Sequence, residues 1–178
     1  MQIHTSRFGI VEITPEDLIT FNEGLLGFNS LRKFVLLDDP NDDIFAWLQS
    51  CEEPAIAFPV LEPELFVDQY KYDMSKSDLI ALSLSSKEGS RAFSIITIPD
   101  DPTKMTANLK APIIINVKTR MGRQCVLQDN GLAICEPIFN QLQQRVVQNP
   151  QSPIKHLDQD LGVSIKPSEP TKGPELNK

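Results

Sequence analysis

Residues 91–129, "RAFSIITIPDDPTKMTANLKAPIIINVKTRMGRQCVLQD", are the clearest guide to the fold class. "RAFSIITI" predicts a strand that stops at "PDDP". "TANLKAPIIINVKT" predicts another, broken at Pro112, which cannot donate a hydrogen bond in a central ladder. "RMGR" is typical of a hairpin turn, and "QCVLQD" predicts the next strand. Short apolar runs in such close succession, with no helix between them, are typical of an all-β barrel or sandwich.

The chain upstream of this stretch follows the same rule. "SDLIALSLSS", residues 77–86, alternates serines with Leu79 and Ala81 or Leu82 and therefore predicts a strand, joined to the next by a hairpin connection at "KEGS". Other runs of five to seven residues end at Pro, Asp or Glu, and they include "KFVLLDD", "IFAWLQS" and "AIAFPVLEP". We expect eight to eleven short strands before residue 130, and no βαβ units, because no helix of sufficient length intervenes.

The periodicity changes near residue 135. Ile138, Phe139, Leu142 and Val146 lie on one stripe of a helix, which predicts an amphipathic helix within residues 131–147. Residues 148–178 hold five of the 14 prolines and no aromatic residue. We therefore predict a disordered tail, because the segment has too little apolar surface to offset its ordering entropy. That prediction includes "HLDQDLGVSI", residues 156–165, despite its modest apolar content.

The charge of the chain is unevenly distributed. The formal net charge is −7, but residues 1–75 hold fourteen acidic and four basic residues, and residues 34–70 contain no Lys or Arg. Such a surface repels nucleic acid and attracts a cationic protein, unless it serves only to keep the protein in solution. We find no run of about 18 apolar residues and no secretory signal, and three unpaired-looking cysteines favour a reduced, cytoplasmic setting.

Candidate catalytic and metal-ligating residues are few. The only two histidines, His4 and His156, lie in the first strand and in the tail, so neither is well placed as a base. Cys125 and Cys135 lie ten residues apart without a partner for zinc, so we expect no metal and no cofactor. The paired carboxylates at 38–39, 42–43 and 100–101 all adjoin proline-containing turns, where Asp serves local hydrogen bonding, although a hydrolase using two of them remains a rival reading.

"FNEGLLGF", residues 21–28, is a glycine-punctuated apolar turn with no reactive group. Its G-x-x-G pattern occurs in an RNA-clamping loop, but the middle pair is Leu25–Leu26 and Glu23 precedes it, so the electrostatics oppose phosphate binding. By elimination the sequence predicts a binding protein. Phe21, Leu25, Leu26 and Phe28 then either contact a partner or close the end of the barrel.

Five motifs together resemble the FliW family of flagellar assembly factors. They are "GLLGF" (24–28), "FVLLDD" (34–39), "WLQS" (47–50), "AFPVLEPELF" (57–66) and "NLKAPIIINVKTRMGRQCVL" (108–127). The resemblance covers residues 2–128 and implies an all-β, compact barrel-like (pseudo-barrel) domain of short antiparallel strands without enzymatic activity. We accordingly expect a FliW-like β domain at 1–130, a C-terminal helix at 131–147 and a disordered tail at 148–178.

The resemblance also implies two protein partners, flagellin and the translational regulator CsrA, which exclude each other. Flagellin in the cytoplasm would occupy the factor, and its export would free the factor to sequester CsrA and so relieve repression of flagellin synthesis. No direct contact with nucleic acid or membrane is expected. A generic adaptor of the same fold with an unrelated partner is the alternative.

The residues expected at the partner sites come from these motifs and from the acidic stretch. An apolar receptor for the amphipathic ends of flagellin is expected near residues 21–28 and 108–116. The acidic stretch, residues 38–68, would weaken RNA binding by CsrA through direct competition or through charge repulsion. Reversal of the four aspartates at 38, 39, 42 and 43 to lysine should therefore weaken CsrA binding. The full set is Phe21, Leu25, Leu26, Phe28, Asp38, Asp39, Asp42, Asp43, Tyr70, Asn108 and Asn116. Asn108 and Asn116 could equally satisfy buried turn backbone, and Tyr70 follows Gln69 where the family usually has an acidic residue.

Overall fold

The computed structural model describes residues 1–128, 131–148 and 161–165. Its strands are β1 (Gln2–Thr5), β2 (Gly9–Glu12), β3 (Ile19–Phe21), β4 (Lys33–Asp38), β5 (Ala46–Ser50), β6 (Ala57–Leu61), β7 (Ser90–Thr97), β8 (Thr106–Ala107), β9 (Ile113–Asn116), β10 (Met121–Gln124), β11 (Glu136–Pro137) and β12 (Gly162–Ser164). Its α-helices are α1 (Lys76–Ala81) and α2 (Phe139–Gln148), and three short 3-10 helices lie at Pro15–Asp17, Pro63–Leu65 and Pro102–Lys104.

Seven strands close into a barrel in the order β7, β6, β5, β4, β3, β10, β9, with β9 pairing back onto β7. β8 and β11 extend the sheet from β7, and β1 and β2 form a separate hairpin. The prediction of an all-β, barrel-like domain with one C-terminal helix is confirmed. Its strands are mostly antiparallel as expected, but β10 runs parallel to β3 and β12 runs parallel to β4.

The barrel has apolar side chains on both faces of its central strands. One cluster fills the interior and includes Phe21, Phe34 and Leu48. A second cluster, including Val35 and Trp47, packs on the outer face beneath the β1–β2 hairpin and the C-terminal helix. Because β4 and β5 are buried on both faces, they are continuous apolar runs in the sequence rather than alternating ones.

The amphipathic helix predicted at residues 131–147 is observed only from Phe139 to Gln148, as α2, because residues 136–137 form the short strand β11. Ile138 and Leu142 are buried in the outer cluster and Phe139 packs against it, as the predicted stripe requires. The apolar stripe is not buried along the whole helix, because Val146 and Val147 near its end are exposed to solvent.

The strand predicted at 77–86 is wrong, because this part of the chain forms helix α1 and a turn. Ser75 caps the helix by accepting a hydrogen bond at Oγ from the backbone amide of Asp78, at 3.1 Å. The alternation of serines with apolar residues resembled a strand, yet Ile80 is left 72% exposed and only Leu82 is buried deeply. The "KEGS" segment therefore joins a helix to β7 and is not a hairpin between strands.

The predicted break at Pro112 is confirmed, since β8 ends at Ala107 and β9 begins at Ile113. The turn predicted at "RMGR" lies earlier, at residues 117–120, and Met121 already belongs to β10. Arg120 ends that turn with a φ of 61°, in the left-handed region. Of the strand predicted at "QCVLQD", only Gln124 is in a strand, and residue 129 is outside the described residues.

Residues 161–165 correct the prediction for the tail. They form β12 beside β4, and Leu161 is only 1% exposed. The composition of this segment predicts disorder, but the apolar groove that receives Leu161 is built by distant parts of the chain. Residues 149–160 and 166–178, where disorder was also predicted, lie outside the described residues.

Candidate functional site

The connection after β3 forms a small, tightly folded loop at one end of the barrel, which we call the lip loop (residues 22–29). The backbone amide of Phe28 donates to the carbonyl of Leu25 at 2.8 Å, and the amide of Leu25 donates back to Phe28 at 3.3 Å. Leu26 and Gly27 thus form a two-residue tip. Leu25 points inward and is 2% exposed, whereas Leu26 is 59% exposed.

Gly24 is required by the geometry of the lip loop. Its φ is +65°, and a Cβ at this position would lie 2.6 Å from the carbonyl oxygen of Phe28. Gly27 also has a positive φ, +83°, but a Cβ there would meet no atom within 4 Å. The first glycine therefore allows close approach of two backbone segments, and the second only permits the turn.

Strand β10 holds the tip of the lip loop in place. The side-chain oxygen Oε1 of Gln124 accepts a hydrogen bond from the backbone amide of Leu26 at 2.9 Å. Its Nε2 donates to the carbonyl of Ala111 at 3.2 Å. The side chain of Gln124 thus links the tip to the segment that leads into β9, so the exposed Leu26 is presented on a fixed backbone.

Arg123 joins the base of the lip loop to helix α1. Its Nη1 lies 2.8 Å from Oε2 of Glu23, and its Nε lies 2.7 Å from Oδ1 of Asp78. Partial burial acts to lower the pKa of Arg123, but the hydrogen bonds with the two carboxylates outweigh it and the pKa is raised. Asp78 is buried, so this pair fixes α1 against the barrel, while Glu23 lies on the exposed side.

The lip loop, β10 and the end of α1 enclose a cleft of about 510 Å³. Its lining residues are Asn22, Glu23, Gly24, Leu25, Leu26, Asn29, Arg32, Ala81, Gly122, Arg123 and Gln124. Amide, guanidinium and carboxylate groups occur beside apolar surface in this set, and it includes no histidine, cysteine or serine that could act as base or nucleophile. The cleft is equipped to bind a peptide-like partner by hydrogen bonds and apolar contact.

The other aromatic residues of the sequence motif support the lip loop from within. Phe21 is fully buried and packs edge-on against Phe34, with ring centroids 5.2 Å apart. Its ring occupies the space above Gly122, where a Cβ would approach to 2.5 Å. Phe28 is half-buried and packs edge-on against Phe58 at 5.3 Å. Of the four apolar residues predicted at this site, Leu26 offers the most surface.

The four predicted aspartates lie at the end of β4 and in the connection to β5, which we call the acidic turn (residues 39–45). Oδ1 of Asp42 accepts hydrogen bonds from the amides of Ile44 and Phe45, at 2.9 and 3.0 Å. Its Oδ2 accepts from Nε1 of Trp47 at 3.2 Å. Asp42 is therefore committed to folding the turn, and Asp43 is the exposed member of that pair.

Asp38 and Asp39 are half-buried. The backbone of Asp38 pairs with β12, and Oδ1 of Asp39 accepts from the amide of Asn41 at 2.9 Å. Because β4 has six residues and a strand rises about 3.3 Å per residue, the acidic turn and the lip loop lie roughly 20 Å apart, at opposite ends of β4.

Tyr70, Asn108 and Asn116 each satisfy backbone groups of the fold. The hydroxyl of buried Tyr70 donates to the carbonyl of Leu109 at 2.7 Å, and burial, with a contribution from Tyr72, raises its pKa. Oδ1 of Asn108 accepts from two amides of the following turn. Asn116 is 4% exposed, its Nδ2 donates to Leu82 at 2.8 Å, and its Oδ1 accepts from two amides in the β9–β10 turn.

The carboxylate pair at 100–101 is also used by a turn. Oδ1 of Asp101 accepts from the amide and the hydroxyl of Thr103, at 3.0 and 2.6 Å. These hydrogen bonds lower the pKa of Asp101. A general acid needs a raised pKa, so this arrangement does not favour the hydrolase reading.

Cys51 and Cys125 do not have the environment of a nucleophile. Burial, together with Glu52, raises the pKa of Cys51 to about 11, and burial raises that of Cys125 to about 12, whereas reactive thiols have lowered pKa values. Cys135 is exposed. Within residues 1–128, 131–148 and 161–165, no three His, Cys, Asp or Glu residues are grouped as a metal site would need. No helix in this part of the chain has the length and apolarity to cross a bilayer.

Residues 2–138 match the family model described as FliW protein. The chain belongs to the FliW family. The family resemblance drawn from the sequence motifs is thereby confirmed.

Named relatives agree with this assignment. A flagellar assembly factor FliW from Bdellovibrio bacteriovorus is 66% identical over 166 residues, which cover 93% of this chain and 95% of the relative. One from Thermoanaerobacter pseudethanolicus is 41% identical over 80% of this chain and 95% of its own. The crystal structure of a flagellar assembly factor FliW superposes with a TM-score of 0.73 at 32% identity, covering 78% of this chain and 97% of that one.

The sequence motifs marked the lip loop but missed most of the groups that hold it. The motifs do not point to Glu23, Arg32, Asp78 or Arg123 as site residues. Gln124 enters the motifs only as the glutamine that follows "NLKAPIIIN". A local signal existed for one of them, because "SKSD" at 75–78 has the Ser and Asp spacing of a capped helix start. The pairing of Arg123 with Asp78, 45 residues apart, has no such signal.

Proposed function

We propose that this FliW-family protein is a flagellar assembly factor that works by binding and not by catalysis. Its partners are flagellin and CsrA, and its capture of CsrA relieves repression of flagellin synthesis in the cytoplasm. Family membership and the names of the relatives support the flagellar role. The cleft lining has no histidine, cysteine or serine, and its carboxylate, Glu23, is paired with Arg123, which agrees with a binding role. We assign the activity to the β domain at residues 1–130.

The exposed, rigidly held Leu26 beside the cleft is the observation that carries the assignment of a flagellin site. An apolar side chain that is 59% exposed contributes nothing to the core, yet its backbone is fixed by Gln124 and by the Leu25–Phe28 pairing. Prior fixing of the loop reduces the ordering cost of binding. An amphipathic end of flagellin would place its apolar face on Leu26 and its polar groups toward Glu23 and Arg123.

The buried residues of the predicted site act in this proposal as supports. Phe21 and Leu25 anchor the two sides of the lip loop in the barrel interior, and Phe28 packs on Phe58. Asn108 shapes the turn that leads to Ala111, whose carbonyl receives Gln124. Substitution at these positions would change partner binding through the position of the loop.

A matched pair of substitutions tests the flagellin site. Leu26→Ser should weaken flagellin binding at least about tenfold, as expected for an interface anchor. Ile10→Ser is the control, because Ile10 has the same 59% exposure and lies on β2 in the separate hairpin. Both proteins should have unchanged thermal stability. Equal flagellin affinity of the two variants in calorimetric titration would refute the role of the lip loop.

The CsrA site is proposed on the acidic surface contributed by residues 34–70. CsrA needs cationic surface to hold RNA phosphates, so carboxylates on this protein would attract it and compete with RNA. Asp43, Glu53 and Glu64 are exposed, so their charges reach the solvent. They are better test positions than the four aspartates together, because Asp42 is needed to fold the acidic turn.

Charge reversal tests this surface against a control of equal net charge. Asp43→Lys, Glu53→Lys and Glu64→Lys together should weaken CsrA binding and flatten its dependence on salt. The control reverses three exposed acids outside the stretch, Glu16, Glu88 and Asp100. If both triple variants lose affinity equally, only net charge matters and the site is not there. If the unaltered protein binds neither flagellin nor CsrA, the adaptor with an unrelated partner becomes the better explanation.

A further inference from the structure

The strand β12 adds to a barrel that is already closed without it. β3 pairs with β4 only at Lys33 and Phe34, and the ring continues through β10 and β9 to β7. β12 pairs with β4 further along, at Leu36, Leu37 and Asp38. These three residues of β4 form an edge that β3 does not cover, and we call it the β4 slot.

Backbone and side-chain contacts hold residues 161–165 in the β4 slot. The pairs are Gly162 with Leu36, Val163 with Leu37 and Ser164 with Asp38, in parallel orientation. The backbone amide of Ile165 donates to the carbonyl of Asp38 at 2.9 Å. At the other end, Nη1 of Arg120 donates to the carbonyl of Leu161 at 3.0 Å. Both ends of the short strand are therefore fixed by hydrogen bonds from or to the barrel.

The side chains of this segment contact both apolar clusters, because Leu161 precedes the strand and enters the barrel interior, whereas the strand itself lies against the outer face. Leu161 is 1% exposed and belongs to the interior cluster together with Phe21 and Phe34. Val163 and Ile165 pack against the outer cluster, whereas Ser164 is exposed. The slot thus selects an extended peptide by one leucine-sized pocket and two positions for branched apolar residues.

The β4 slot lies in the part of the chain that matches the family model, and the segment that fills it does not. β4 lies within the family match, which ends at residue 138, whereas residues 161–165 lie beyond it. Residues 149–160 separate the segment from the end of α2. Because the segment and the slot belong to the same chain, their association is intramolecular, and the segment can fill the site with only weak intrinsic affinity.

We propose that the β4 slot is an exchangeable strand-addition site and that residues 161–165 are its internal competitor. Its other occupant is an extended segment of a partner protein that runs parallel to β4, with a leucine in the place of Leu161 and β-branched residues two and four positions later. Such a segment gains the same backbone hydrogen bonds and the same apolar pocket. A partner segment binds only if its affinity for the slot is high enough to displace the internal strand. This proposal does not depend on the identity of flagellin or CsrA as partners.

Release of the internal strand in the full chain tests the proposal. A fluorescently labelled peptide of residues 158–167, "DQDLGVSIKP", serves as the probe, and its anisotropy reports binding. Leu161→Asp places a charge in the apolar pocket and should free the slot, so the probe should bind this variant at least about tenfold more tightly than the unaltered protein. Ser164→Lys also adds a charge, but at the exposed position and opposite Asp38, so the internal strand should stay in place and the probe should bind as weakly as it does to the unaltered protein.

A second release variant covers the case in which Leu161→Asp fails to fold. Ile165→Pro removes the amide that donates to Asp38 and leaves the apolar pocket unchanged. It too should bind the probe more tightly than the unaltered protein, and a probe with Asp in place of its leucine should not bind. If folded release variants bind the probe no better than the unaltered protein, β12 is a permanent part of the fold and the proposal fails.

Discussion

The two connections that flank β4 use their polar groups in opposite ways. In the acidic turn, the carboxylate of Asp42 accepts hydrogen bonds from two amides of the turn and from the indole of Trp47 in the adjoining β5. In the lip loop, the polar groups of Gln124 and Arg123 come from another strand and hold the loop from outside, which leaves the apolar tip at Leu26 exposed. The carboxylate of Asp42 therefore keeps its charge but has fewer positions left to accept hydrogen bonds from a partner. The lip loop, rich in Leu and Gly, offers an apolar contact surface at Leu26.

The two glycines of the lip loop should differ in how strongly an added methyl group destabilises the protein. Gly24→Ala would force a non-glycine residue to φ +65° and place Cβ 2.6 Å from a backbone carbonyl oxygen, so we expect the free energy of unfolding to fall by about 3 kcal/mol. Gly27→Ala has open space at the same kind of φ and should lower it by about 1 kcal/mol. Urea denaturation measures both. Equal losses would show that backbone conformation alone matters there.

The acidic turn should depend on Asp42 and not on Asp43. Asp42→Ala leaves the amides of Ile44 and Phe45 and the indole of Trp47 without their acceptor, so we expect a loss of about 2 kcal/mol in the free energy of unfolding. Asp43→Ala removes an exposed carboxylate and should change it by less than about 0.5 kcal/mol. Similar stability of the two variants would contradict the structural role given to Asp42.

The smallest expected effect concerns the tether of the lip loop. Gln124→Ala removes the acceptor of the Leu26 amide and should lower the free energy of unfolding by about 1 kcal/mol. Hydrogen exchange should report the change locally, with faster exchange at Leu26 and unchanged exchange at Ile44 in the acidic turn. Uniformly faster exchange at both sites would mean that Gln124 stabilises the barrel as a whole and not the loop.

The same contrast shows what the sequence can and cannot reveal. Strands β4 and β5 are recognisable because burial on both faces demands uninterrupted apolar runs, and the break at Pro112 is recognisable because proline lacks a donor. The role of Asp42 in the acidic turn is local, because Asp side chains commonly accept hydrogen bonds from backbone amides a few residues further along a turn. Each of these depends on residues that are near each other in the chain.

The remaining features depend on contacts between distant residues. Gln124 accepts a hydrogen bond from Leu26, which is 98 positions away in the chain. Asp78 is held in its buried position by a hydrogen bond from Arg123. Leu161 is buried only because β4 has an edge that β3 leaves uncovered, so the composition of the tail gave no indication of β12. The alternation of serines with apolar residues over 77–86 predicts a strand where α1 and a turn form, although the Ser75 cap is a local signal for a helix.

The central claim is that flagellin and CsrA exclude each other, and CsrA binding measured in the presence of flagellin tests it most directly. The lip loop and the acidic turn lie roughly 20 Å apart along β4, yet the proposed function requires flagellin and CsrA to exclude each other. The measurement is a calorimetric titration of CsrA into the purified protein, alone and with saturating flagellin. We predict binding of CsrA to the free protein and its loss, or a reduction of at least about tenfold in affinity, when flagellin is bound. Undiminished CsrA binding to the flagellin complex would contradict the account.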